Sequence, residues 1–124
     1  FEQALTLHRQ VGDRAGEATT LNNIGMVHDD LGDKARALAY YEQALRLSRQ
    51  VGDRAGEAVT CYNMAMIYVG RGNLQEAERL LARTVELDEA IGYPDLESDR
   101  KTFEQVRSDM RRPADGPAPG GEEP

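Results

Sequence analysis

The sequence has no tryptophan, one cysteine and two histidines in 124 residues. A lone cysteine, Cys61, has no partner for an internal disulfide, so the chain is expected to be intracellular, in the cytoplasm. His8 and His28 fall on separate predicted helices. Neither has a Cys/His partner at zinc-ligand spacing, so no metal and no cofactor is expected. No apolar run approaches the roughly 20 residues that a membrane-spanning helix needs. Positive charge is also in short supply, with 15 basic residues against 22 acidic ones and a formal net charge of −7. Nucleic acids and anionic membranes are held by basic surfaces, so neither is an expected partner. Nor does any stretch alternate apolar and polar residues with the period of two that a half-buried strand requires.

What the chain does have is repetition. Phe1-Glu2-Gln3-Ala4-Leu5 returns as Tyr41-Glu42-Gln43-Ala44-Leu45, and Val11-Gly12-Asp13-Arg14-Ala15-Gly16-Glu17-Ala18 returns unchanged from Val51 to Ala58. Both offsets are 40 residues, in the range of a stacked repeat array. Gly12, Gly32, Gly52, Gly72 and Gly92 divide that period in half. Glycine takes the left-handed conformation that ends many helices without a Cβ clash. In four of these places the next residue is a good N-cap, Asp13, Asp33, Asp53 or Asn73, so each junction stops one helix and starts another. The fifth, Gly92-Tyr93-Pro94-Asp95, puts a proline where a helix's first turn accepts one.

Between the glycines the apolar residues keep helical spacing. Leu21, Ile24, His28 and Leu31 step by three or four, as do Cys61, Met64 and Tyr68. Ala37, Tyr41, Ala44 and Leu45 form a stripe that Ala77, Leu81, Thr84 and Val85 match one repeat later. The spacing predicts helices over 1–11, 14–31, 34–51, 54–70, 74–91 and 94–111. The last carries a narrow stripe, Leu96, Phe103, Val106 and Met110, on an otherwise charged surface. That pattern suits the cap that a solenoid needs over its final apolar face. Residues 112–124 are rich in Pro, Gly and Glu and are expected to stay unordered. The chain opens at Phe1 already inside an amphipathic pattern, so it is expected to be a piece of a longer protein.

The stretch Leu21-Asn22-Asn23-Ile24-Gly25, with His28, Gly32-Asp33, Ala37, Tyr41, Ala44 and Leu45, resembles the tetratricopeptide repeat. A second copy has Cys61, Met64-Ala65, Tyr68, Gly72, Ala77, Leu81 and Thr84 at the same places. The period exceeds the family's usual unit of about 34 residues. In this it is similar to the extended repeats of kinesin light chains and Partner-of-Inscuteable adaptors. Gly-Asp-Arg-Ala-Gly-Glu-Ala is also similar to repeats at the C-termini of bacterial signalling ATPases and transcriptional regulators. The resemblance implies an all-α fold, a right-handed superhelical solenoid of antiparallel helix hairpins. Its units are a truncated repeat at 1–12, repeats at 13–52 and 53–92, a capping helix at 94–111 and a tail at 112–124.

The resemblance also implies that the first helix of each repeat lines a concave groove. Carried onto this sequence, the groove residues are Thr19, Asn22, Asn23, Met26 and Asp30, then Val59, Tyr62, Asn63 and Met66, with Val69 beside them. Asn23 and Asn63 fall in register, as do Met26 and Met66. An amide that both donates and accepts suits a peptide backbone, and methionine offers adaptable apolar contact. The competing reading has the asparagines bonded to neighbouring helices and the methionines completing the core. Asn22 and Tyr62 stand where some relatives use lysine to hold a peptide's terminal carboxylate, so that ligand is not expected. Asp29 and Asp30 favour a ligand with some positive charge.

Catalysis finds no foothold. Cys61 lacks an adjacent base, and Asp29, Asp30 and Asp33 do not follow the calcium-loop pattern. The expected function is therefore a non-enzymatic scaffold that binds a peptide or helix of another protein. The alternative is an intramolecular arm at the C-terminus of a multidomain regulator or signalling ATPase. Phe1, Ala4 and Leu5, on a helix without its preceding partner, are expected to allow weak self-association through that end. Light scattering at high concentration should detect it; a strict monomer there would remove the expectation.

Overall fold

The computed structural model describes residues 14–111. The truncated helix at 1–11, the cap at Asp13, the self-associating end and the tail at 112–124 lie outside the described residues. Five helices follow one another: α1 (Arg14–Asp30), α2 (Lys34–Val51), α3 (Arg54–Gly70), α4 (Leu74–Ile91) and α5 (Leu96–Arg111). No strand occurs among the described residues. α1 packs mainly on α2 and α3 on α4. α2 also packs on α3, α4 also packs on α5, and α1 touches α3. The result is an all-α solenoid of stacked helix pairs.

The junctions work as their residues dictate. Gly32, Gly52, Gly72 and Gly92 all have φ between 66° and 86°, the left-handed region in which a side chain would strain the backbone. At Gly52, the glycine N–H donates to the Arg49 carbonyl and the Asp53 N–H to the Ser48 carbonyl, at 3.3 and 2.9 Å. The same pair of bonds recurs at Gly32 and Gly72, satisfying carbonyls that a helix end leaves open. The next residue caps the following helix. Asp33 accepts from the Arg36 N–H at 3.1 Å, Asp53 from the Gly56 N–H at 2.9 Å and Asn73 from the Glu76 N–H at 3.3 Å.

Two expectations need correction. α5 begins at Leu96, not at 94, because the Asp95 carbonyl accepts the first helical bond, from the Asp99 N–H at 2.8 Å. Pro94 therefore precedes the cap. The stripe on α1 also ends early. Leu21 and Ile24 are buried and His28 is half-buried, its ring stacked on Tyr40 with centroids 5.4 Å apart. Leu31, past the last helical residue, is 75% exposed.

The main core joins Ala37, Leu38, Tyr41 and Leu45 of α2 to residues of α3 and α4, and α5 adds Val106. Phe103 and Met110 pack against the same cluster. α1 and α2 approach closely at Gly25. A Cβ there would stand 2.7 Å from the Tyr41 ring and 3.2 Å from the Ala37 carbonyl oxygen. In the second repeat Ala65 and Leu81 occupy these places, so the added methyl meets a smaller partner.

A buried carboxylate ties three helices together. Glu57 of α3 accepts from Arg49 Nε of α2 and Arg83 Nε of α4, each at 2.9 Å. Burial alone would raise the Glu57 pKa, but the Arg83 and Arg49 guanidiniums outweigh it and hold the carboxyl below its ordinary value.

Gly25→Ala should lower stability by on the order of 1 kcal/mol, since overpacking against Tyr41 exceeds the gain in helix propensity. Adding Tyr41→Leu, which recreates the pairing of the second repeat, should recover part of that loss. Urea denaturation of the single and double variants measures both.

Candidate partner-binding groove

α1 and α3, the first helices of two successive repeats, are joined by a polar contact. Asn22 Oδ1 accepts from Thr60 Oγ1 at 3.1 Å and from Asn63 Nδ2 at 3.2 Å. Asn22 Nδ2 points to Met26 Sδ at 3.7 Å, and the asparagine is only 9% exposed. Asn22 thus holds the two helices side by side. Asn63 is half-buried and spends its amide nitrogen on Asn22, which leaves its carbonyl oxygen as an acceptor. Asn23 is half-buried, and no bond to its amide occurs among the described residues.

The remaining groove candidates spread along the two helices. Thr19 is exposed and turns its hydroxyl back to the Ala15 carbonyl at 3.2 Å. Met26 is 45% exposed, and Asp30 also faces solvent. Val59, Tyr62 and Asn63 come together as one wall of a cleft of about 360 Å³. Met66 lines a smaller hollow of about 250 Å³ with Asp29, Lys34 and Arg71. Asp29 is ion-paired with Lys34 there, so its charge is already answered. Val69 is exposed at the end of α3.

The larger cleft contains residues that sequence patterns alone did not single out. Opposite the α3 wall stand Asp88 of α4, Tyr93 and Asp95 of the turn, and Ser98 and Asp99 of α5. Asp88 is completely buried, and neither of its oxygens has a hydrogen-bond donor. Asp99 lines the same cleft, and two carboxyls can bond to each other only when one of them carries a proton. Burial first, then Asp99 and Asp95, push the Asp88 pKa up to about 7. The position lies 40 residues after Ser48, which is also buried. An acid placed at a buried register position was the available sign.

Cys61 is fully buried. Burial, reinforced by Glu57, raises its thiol to about 11, so it packs as a small apolar residue and is not primed as a nucleophile. No helix among the described residues is long and apolar enough to cross a membrane.

The family model described as tetratricopeptide repeat matches residues 1–50 and 36–90. No curated protein matches the chain.

The raised pKa of Asp88 gives stability a pH dependence of definite sign. Between about pH 4 and 7 the folded chain holds a proton that the unfolded chain releases, so Asp88 makes stability fall as pH rises across that window. Asp88→Asn should therefore raise the melting temperature at pH 8, and the gain should vanish near pH 4. Thermal melts of both proteins at the two pH values test this.

Proposed function

The chain belongs to the tetratricopeptide repeat family, and we propose that it binds a peptide or helix of another protein along α1 and α3. Repeats of this family generally mediate protein–protein interaction and act as scaffolds without enzymatic activity. The observation that supports this reading most directly is the cleft in which Val59, Tyr62 and Asn63 line one wall. Tyr62 offers a large apolar surface with a polar tip, a combination suited to a binding face. Asn63 keeps an acceptor free and Asn23 a whole amide, so a peptide backbone could find both kinds of partner on neighbouring helices. The ligand is a protein segment with no net negative charge, given the chain's own excess of acid.

Two repeats present a small surface, and the cost of association leaves affinity in the micromolar range or weaker. Peptides selected from a random display library should bind with that affinity. Tyr62→Ala should weaken them by roughly tenfold. Asn23→Ala should cost about 1 kcal/mol of binding, with the melting temperature unchanged. Asn22→Ala should instead lower the melting temperature, because its amide joins α1 to α3. Selected peptides that bind Tyr62→Ala and Asn23→Ala as well as the parent chain would sink the groove reading.

A further inference from the structure

The cleft between α3 and α5 is built around charge without a counter-charge. Asp88 is fully buried with no donor to either oxygen, Asp99 stands beside it at 9% exposure, and Asp95 adds a third carboxylate at the rim. A carboxylate removed from water without a hydrogen-bond donor is costly, so Asp88 gains from any donor that enters. No lysine or arginine lines the cleft. Arg83 of α4 and Arg100 of α5 are already bonded to Glu57 and Glu89. At a pH where both carboxyls are ionised, a ligand that brings a donor into the cleft would meet an unanswered need.

We propose that this cleft is an arginine-binding subsite, in which the guanidinium of an arginine on a bound peptide pairs with the carboxylates of Asp88 and Asp99. It rests on the groove reading, since the peptide that carries the arginine is the one lying along α3. Three observations favour a guanidinium over other cations. Tyr62 and Tyr93 both line the cleft, and aromatic rings are surfaces on which a flat, delocalised cation stacks. The two carboxylates line the same cleft, and a planar fork with five donors can serve both where a single ammonium serves them less fully. The Asn63 carbonyl oxygen and the Ser98 hydroxyl supply further acceptors on the same walls. A metal ion does not suit the site, because no group of three or more His, Cys, Asp or Glu side chains among the described residues is arranged to hold one. The size of the cleft, about 360 Å³, admits a side chain and excludes a folded element.

The test uses the whole chain and small probes, so it does not depend on knowing the partner. N-acetyl-arginine N-methylamide is titrated at pH 7.5 and followed by backbone-amide NMR, beside the matching lysine and citrulline compounds. The arginine compound should give saturable shifts at Tyr62, Asn63, Tyr93 and Ser98. The lysine compound should bind roughly fivefold more weakly, and citrulline, equal in shape but uncharged, should not saturate. Asp88→Asn and Asp99→Asn should each weaken arginine binding by roughly tenfold, with circular dichroism confirming that both variants stay folded. Citrulline or lysine binding as well as arginine, or folded Asp variants that bind undiminished, would overturn the proposal. Failure of the arginine compound while displayed peptides still bind removes the subsite alone; saturation by arginine with no peptide binding removes the groove reading instead.

Discussion

Everything in this molecule follows from a turn of two residues that is repeated at fixed intervals. At Gly32, Gly52 and Gly72 a left-handed glycine ends one helix and the Asp or Asn behind it begins the next, so these loops have no room to wander. Helices of nearly equal length joined so tightly must lie back against their neighbours. That places α1 beside α3 and gives the array a face made of first helices. Had the junctions been longer, the same apolar stripes could have paired in several ways.

Polar side chains lock the register that the turns allow. Glu57 draws an arginine from α2 and another from α4, and Asn22 gathers Thr60 and Asn63 from the next repeat. These contacts are partly or fully shielded from water, where an unmet partner is expensive, so they discriminate against a slipped arrangement. The same logic divides the asparagines. Asn22 serves the fold and Asn63 serves it with one end, while Asn23 is uncommitted. Residues that look equivalent by spacing are therefore not equivalent in what they can still offer a ligand.

Asp88 runs against this economy. A fully buried carboxyl with no donor, near another acid and in the last turn of a helix, is disfavoured by burial, by like charge and by the helix dipole together. Its counterpart one repeat earlier is a small neutral serine. Folding alone gives no reason for the acid, whereas a cationic ligand in the adjoining cleft would. The strained position and the groove wall of Tyr62 and Asn63 belong to one cavity. Stability and recognition thus meet at the junction of the last full repeat with α5.

By itself the sequence determined the helices, their junctions and the pairing of stripes, because glycine conformation, capping and helical spacing act over only a few residues. Gly32 to Gly92, the caps at Asp33, Asp53 and Asn73, and the buried Tyr41 and Leu81 positions were legible for that reason. A binding face along Asn23 and Tyr62 is an expectation carried by the repeat and belongs to the proposed function. Only the tertiary structure decided that Asn22 joins two helices, that Leu31 is left in solvent, that Glu57 bridges three helices, and that Asp88, Tyr93 and Asp99 close a cleft opposite Tyr62. The pairings among them bring together residues 8 to 41 positions apart. A pairing across that distance is set by how the helices stack, and local spacing carries no record of it.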